Sequence, residues 1–297
     1  MMSQADRLLE GAIDLHCHVY PEISLDLKKR VEDLEAAQLA AQAGMKGLVL
    51  KSHMWPTVGR VYQIRNQIKG VEVWPGMALN TSAGGFSPWA VESGLRQGVK
   101  VIWMPTWSAK NDIQRGGFSR LMKGWLTTIN QIQPQDGLTV FNDSGEIDRK
   151  VKEILALAKE YDVAVSTGHL SSEEGLAIAR EAQKMGFKKL IFCHPDSKSI
   201  GAEMEHIQEM ARMNFFVEFT FLGLLPAFWR ISIQEVARRI KEIGAERSVL
   251  TTDAFFEWTP PPPEMMRMFI SSLLTQGITG EEIEMMVRKN PGDLLNV

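Results

Sequence analysis

Ile13-Asp14-Leu15-His16-Cys17-His18 is the stretch on which the fold turns. Its residues alternate as on a β-strand, and side chains two apart on a strand share a face, so Asp14, His16 and His18 project together. Two imidazoles on one face can reach one metal ion. Working outward, His53 follows Lys51-Ser52, His169 ends Ser166-Thr167-Gly168-His169, and His194 stands in Phe192-Cys193-His194-Pro195. Each falls where a short β-rich run gives way to a loop. Only His206 lies in a helical pattern, so five of the six histidines sit at predicted strand ends. Asp253, in Thr251-Thr252-Asp253, ends another such run.

Taken singly, each residue has a plain structural reading: a His-x-His pair occurs by chance, and His169 can cap the helix that starts near Ser171-Ser172-Glu173-Glu174. Taken together they do not, because core histidines have no reason to prefer one rim. The joint pattern points to a catalytic metal site.

Strands are predicted at 12–15, 47–51, 72–79, 99–104, 163–167, 189–193, 215–219 and 248–252, with helical patterns between them. Leu34, Ala37 and Ala41 in one helix, and Ile154, Leu155 and Ala158 in a later one, have the spacing of a buried face. Gly44, Gly98, Gly186 and Gly244 precede strands, where a helix C-cap glycine belongs. Eight strands with right-handed helical returns close most naturally into a (β/α)8 TIM barrel, here a single domain over 1–297; a doubly wound open sheet is the competing architecture. A long insertion after strand 4, between Thr106 and Ile147, carries Gly116-Gly117, a helical stretch at 121–132 and a short hairpin strand at 138–142. Pro260 to Pro263 predict a stiff extended connection before a helix starting at Glu264.

The 44% hydrophobic and 23% charged content fits a globular protein with a full core, which excludes disorder. A net charge of −3 without blocks of like charge offers no general attraction to nucleic acid or to a membrane surface, so a small-molecule partner is expected. The N-terminus lacks a secretory pattern and no run is long enough to span a membrane, which predicts a cytoplasmic enzyme. Exposed helix faces permit a homo-oligomer without demanding one. Cys17 and Cys193, each beside a candidate ligand histidine, read as reduced packing residues.

In a barrel the strand ends ring one pocket, so His16, His18, His169, His194 and Asp253 are the expected metal ligands. Imidazole with carboxylate suits zinc, with Mn, Fe or Co as alternatives, and leaves a coordination position for water. Asp253 and His194 are the catalytic candidates, Asp253 taking the proton of that water and His194 holding a developing oxyanion or a second ion. Asp14 is placed one layer deeper, fixing an imidazole tautomer. His53, Lys51, Arg60 and Trp107 are expected to bind substrate, the cations neutralising a carboxylate or phosphate; His53 is alternatively a ligand or a loop residue. Lys110 and Arg115 are further loop cations, Trp55 and Phe256 apolar wall candidates, and Glu146 and Glu218 carboxylates with only their position in favour.

These residues resemble the amidohydrolase superfamily of metal-dependent TIM-barrel hydrolases. The resemblance rests on Ile13 to His18, Thr167-Gly168-His169, Cys193-His194-Pro195 and Thr252-Asp253, and extends to Gly277 to Glu282 and Asn290 to Leu295, covering the whole chain. It implies ligand histidines on strands 1, 5 and 6 and a strand 8 aspartate that contacts metal and activates water, matching His16, His18, His169, His194 and Asp253. Two-metal members usually carry a carboxylated lysine or a glutamate at strand 4, which here ends Trp103-Met104-Pro105-Thr106. One ion is therefore favoured over two, unless Glu146 or His53 takes that place. Hydrolysis of a C–N or ester bond in a small anionic substrate is the first chemistry implied. A mononuclear nonoxidative decarboxylase, a phosphoesterase and a non-catalytic metal-containing ligand-binding barrel are the alternatives.

Overall fold

The computed structural model describes residues 2–228 and 230–297. All eight expected strands form: β1 (Ile13–Cys17), β2 (Gly47–Leu50), β3 (Glu72–Ala78), β4 (Val101–Trp103), β5 (Ala164–Ser166), β6 (Leu190–Phe192), β7 (Phe216–Thr220) and β8 (Ser248–Thr251). They follow one another through one sheet in chain order. β8 comes back beside β1, where Cys17 bridges Ala254 in parallel and the Asp253 N–H donates to the His16 carbonyl at 2.8 Å. A sheet whose last strand meets its first is a (β/α)8 barrel, and the open doubly wound alternative is set aside. The strands are buried along nearly their whole length, as parallel strands covered by helices must be.

Packing divides the chain into two compact units, Met1–Ser52 with Thr57–Gly76 and Glu218–Val297, and His53–Pro56 with Met77–Val217. In the first, Phe221 packs against Phe269 with ring centroids 5.7 Å apart, and Phe219, Leu15 and Leu250 are buried. In the second, Trp103, Phe192, Ile154 and Leu155 are buried. Burying a side chain of this class contributes roughly 1.5–3 kcal/mol, so a few such residues decide the stability of each unit. No helix among the described residues is long and apolar enough to cross a membrane.

The expected helix faces hold at Arg149–Glu160, which buries Ile154, Leu155 and Ala158. The helix Asp33–Gln42 forms, but it buries Ala36, Ala37 and Ala40, turned slightly from the expected face. Gly44, Gly98, Gly186 and Gly244 all adopt positive φ at the ends of their helices.

Two local expectations are corrected. The insertion holds helices at Lys110–Arg115 and Phe118–Trp125, earlier than the 121–132 stretch, and 138–142 makes only single bridges, Ala109 with Leu138 and Phe141 with Ile147. The proline run does not stay extended: Pro262 and Pro263 start the helix Pro262–Thr275, because the N–H that proline lacks would have no intrahelical partner in a first turn.

Gly168 closes β5 with φ +59°, and a Cβ built there would lie 2.2 Å from the Met104 carbonyl oxygen. Gly98 has φ +95° and open space around it. Gly168→Ala is therefore expected to cost about 2 kcal/mol or more, well above Gly98→Ala, which meets backbone strain alone. Urea unfolding of the two variants against the parent chain measures this, and equal losses would contradict it.

Candidate metal centre

β1 carries an irregularity that serves the site. Its register with β2 shifts between Asp14, paired with Leu48, and Cys17, paired with Leu50, so three steps on β1 match two on β2. An extra residue at a bulge breaks the ladder and re-aims the side chains beside it. The N–H of His16 donates to Asp14 Oδ1 at 3.1 Å. Asp14 also accepts from Thr252 Oγ1 at 2.5 Å and from the Thr252 N–H at 3.2 Å, which stitches β1 to the end of β8. Asp14 thus holds backbone and hydroxyl rather than an imidazole, contrary to the role expected for it. Burial pushes its carboxyl up to about 6 against these donors.

The imidazole of His16 is held instead by Glu218 of β7, whose Oε1 lies 2.9 Å from His16 Nδ1 and accepts from Thr251 Oγ1 at 2.8 Å. A carboxylate on one ring nitrogen directs the other outward, the usual way a protein orients a metal-binding histidine. That other nitrogen, Nε2, lies 3.1 Å from Asp253 Oδ1, and His18 Nε2 lies 3.5 Å from the same oxygen. The ligand atoms of His16, His18 and Asp253 all lie within 4.8 Å of one another. Ligands on a tetrahedral ion with bonds of ~2.1 Å stand roughly 3.4 Å apart, so the donor set and its spacing fit one divalent cation. Asp253 reaches this position through a left-handed backbone, φ +49°, a conformation that aspartate tolerates better than most residues.

Lys51, fully buried at the exit of β2, places Nζ 2.9 Å from His16 Nε2. The charges around His16 compete. Burial, the largest single influence, and Lys51 both push its pKa down, yet Asp253 and Glu218 outweigh them and lift it to about 9. The pocket thus calls for positive charge at His16, a demand a divalent ion meets with the imidazole neutral. Burial holds His18 below its ordinary value, against hydrogen bonds to Asp253 and Glu22.

His169 and His194 belong to the other unit. Their rings lie 5.1 Å apart at 62°. His169 Nδ1 pairs with Asp112 Oδ2 at 2.7 Å, and His194 Nδ1 with Ser197 Oγ at 3.0 Å. Asp112 is buried, and burial alone would raise its carboxyl. The His169 contact and the N–H of Ser119, at 2.7 Å, bring it below the usual range instead. Ser171, not His169, caps the following helix Ser172–Lys184, in a capping box with Glu174. His53 is buried, pairs through Nδ1 with Thr106 Oγ1 at 2.9 Å and stacks on Phe118 at 4.2 Å.

The expected substrate-binding residues are differently engaged. Arg60 donates to both carboxylate oxygens of Asp33 and to the Val19 carbonyl. Trp107 is buried, its indole N–H bound to the His53 carbonyl at 3.2 Å. Lys110 is exposed, and Arg115 donates to the Lys198 carbonyl. Trp55 is 64% exposed, whereas Phe256 is half-buried and in stacked contact with both Phe228 and Trp258. Glu146 is exposed, its N–H bound to Asn142. Cys17 and Cys193 are buried free thiols.

Charged residues missed in the sequence include Asp112, Glu22 and Lys29. Glu22 is buried with Oε1 3.4 Å from His18 Nδ1. Lys29 is buried with Nζ 3.2 Å from the centre of the Phe255 ring, and burial lowers it to about 8 although Glu22 pulls it up. Glu22 stands four residues after His18, a one-turn spacing that carried no signal in a stretch without helical pattern.

Replacing Glu218 by Gln is expected to weaken zinc binding about 10- to 100-fold, the usual effect of removing such a supporting carboxylate. His16→Ala and Asp253→Ala should lower bound metal below one ion per chain. Competition against a chelating dye, with metal analysis of the dialysed proteins, provides the measurement; metal content unchanged in all three variants would reject the site.

Several solved structures share this fold across nearly their full lengths. An amidohydrolase from Pseudomonas aeruginosa aligns with a TM-score of 0.60 at 12% identity, covering 99% of this chain and 99% of its own. The probable dipeptidase PvdM from the same organism aligns at 0.65 and 10%, covering 99% and 98%. A probable 2-pyrone-4,6-dicarboxylic acid hydrolase from Acinetobacter baumannii, with citric acid bound, aligns at 0.59 and 12%, covering 97% and 100%. At such identities the likeness is one of fold. No curated protein matches the sequence. Residues 11–218 match the model of a family of unknown function, DUF6282, and the chain belongs to that family.

Proposed function

We propose that this chain is a metal-dependent hydrolase of the amidohydrolase type, acting on a C–N or ester bond of a small anionic substrate. The observation that carries this reading is the placement of His16 Nε2 and His18 Nε2 around Asp253 Oδ1, with Glu218 behind His16. Zinc is the ion of choice for two imidazoles and a carboxylate, and a single ion accords with a β4 that ends at Trp103 and runs on into Met104-Pro105-Thr106. A divalent ion held there supplies Lewis acidity, bringing the pKa of water toward ~7 and polarising a scissile carbonyl.

The chain's own residues do the rest. His16 and His18 hold the ion, and Glu218 keeps His16 in one tautomer. Asp253 takes the proton of the attacking water and returns it to the leaving nitrogen or oxygen. Because its oxygen already lies between two imidazoles, the base is fixed in position before substrate arrives. His169 and His194, at the carboxyl ends of β5 and β6, are assigned to metal binding, with His194 also suited to an oxyanion. Lys51 brings a cation to the same nitrogen that faces Asp253, where a substrate carboxylate or acyl oxygen would find it. A dicarboxylic acid in the name of the Acinetobacter relative, and the citric acid bound to it, support an anionic substrate.

The test is turnover of esters, lactones, N-acyl amino acids and dipeptides by protein stripped with a chelator and reloaded with zinc, manganese or cobalt. Hydrolysis should vanish on stripping and return on reloading, and Asp253→Asn should lower kcat by about 100-fold or more. Hydrolysis indifferent to stripping would overturn the metal mechanism. Release of CO2 from a carboxylic acid without consumption of water would replace hydrolysis by decarboxylation.

A further inference from the structure

We infer that Asp112, carried by the insertion after β4, is a positioning residue: it keeps a proton on Nδ1 of His169 and so makes Nε2 the atom that His169 gives to a divalent cation. This rests on the hydrolase reading, which assigns His169 to metal binding, and deepens it by giving the insertion a part in that site.

The clamp comes from two adjacent residues of the helix Lys110–Arg115. Asn111 Nδ2 donates to the His169 carbonyl at 3.0 Å and to the Ser199 carbonyl at 2.7 Å, which holds the main chain. The His169 N–H donates to the Pro105 carbonyl at 2.9 Å. Asp112 holds the ring, with Oδ2 2.7 Å from His169 Nδ1. Backbone and imidazole are thus fixed together, as a group that must meet an ion in one orientation requires.

The direction of the hydrogen bond to the ring follows from what else the carboxylate meets. The Ser119 N–H donates to Asp112 Oδ1 at 2.7 Å, and the Phe118 N–H donates to Oδ2 at 3.0 Å. Both belong to the first turn of the helix Phe118–Trp125, where N–H groups have no partner within the helix and favour a negative charge. Two oxygens that already accept backbone N–H groups are those of an ionised carboxylate, which has no proton to give. The proton between Oδ2 and Nδ1 therefore sits on the imidazole, and in the neutral ring the lone pair lies on Nε2.

Gly117 permits this approach, since a Cβ there would lie 2.5 Å from Asp112 Oδ2 and 2.6 Å from Ser199 Oγ. A carboxylate needed only to cap the helix would satisfy the Phe118 and Ser119 N–H groups without an imidazole at 2.7 Å. Here the helix fixes Asp112, and Asp112 fixes the ring. Asp112→Asn keeps the shape but has one acceptor oxygen. With that oxygen on the Ser119 N–H, the amide N–H groups face His169, and the ring proton has to leave Nδ1 for Nε2, where it blocks the ion.

Histidine-selective nitrogen-15 NMR of the metal-free full-length protein reads the proton positions, with His169→Gln identifying the signals of that ring. Nδ1 of His169 should be protonated in the parent chain and unprotonated in Asp112→Asn. In competition with a chelating dye, Asp112→Asn should bind zinc about 10- to 100-fold more weakly, whereas Arg120→Ala, at an exposed position of the same insertion, binds it as the parent does. An unprotonated Nδ1 in the parent chain overturns the inference whether or not the variant folds. A folded Asp112→Asn protein with the zinc affinity of the parent overturns it too. Neither readout involves turnover, so absence of hydrolysis would count against the proposed reaction while leaving the assignment of Asp112 intact.

Discussion

The site depends on one oxygen. Asp253 Oδ1 lies 3.1 Å from Nε2 of His16 and 3.5 Å from Nε2 of His18, and nearly every unusual feature nearby helps to bring those three atoms together. The register shift in β1, the carboxylate of Asp14 spanning His16 and Thr252, the Glu218 contact at His16 Nδ1 and the left-handed backbone of Asp253 each cost something alone. A positive φ at a non-glycine residue and buried carboxylates are features a stable core would avoid. They persist where the surrounding structure fixes them, and here the strands around them are buried almost end to end.

Electrostatics give those costs a common cause. Asp14, Glu218 and Asp253 crowd one end of β1 together with His16, His18 and Lys51, and all but Asp253 are nearly or fully buried. Buried charges are tolerable when each has a partner of opposite sign and its remaining polar atoms are hydrogen-bonded. Burial drives Asp14 up to about 6, and the carboxyl accepts three hydrogen bonds from Thr252 and His16. Glu218 and Asp253 raise His16 instead. A divalent ion held there would take the place of a proton at His16 with twice the charge, a demand that fits two carboxylates converging on one imidazole.

The architecture was legible in the sequence because two periodicities reinforced each other. Short β-rich runs alternated with helical spacing, and Gly44, Gly98, Gly186 and Gly244 stood where helices end, so four of the eight strands were bounded on their N-terminal side. The histidines were legible for a related reason: their type is rare in this chain, and strand ends are where a barrel gathers chemistry. What was not legible depends on contacts between distant segments. Glu218 in Phe216-Val217-Glu218-Phe219-Thr220 looks like an inward polar residue with no stated purpose until His16 is placed beside it. Asp112 lies in the insertion, 57 residues from the imidazole it orients. Glu22 and Lys29 occupy a polar loop, where composition predicts solvent and the anchors at Tyr20, Val31 and Glu32 decide otherwise.

The buried polar residues near Asp253 come from two kinds of segment. His16, His18, Glu218 and Asp253 lie on strands or within two residues of them, where backbone ladders limit their motion, as positioning of reacting groups requires. Lys29 and Glu22 belong to the connection after β1, which can change length and sequence without disturbing those ladders. Phe255 joins the two, because it follows Asp253 by two residues and lies under Nζ of Lys29. A substitution in that connection would therefore leave the strands in place, whereas one in β1 or β7 would disturb the polar groups gathered around Asp253.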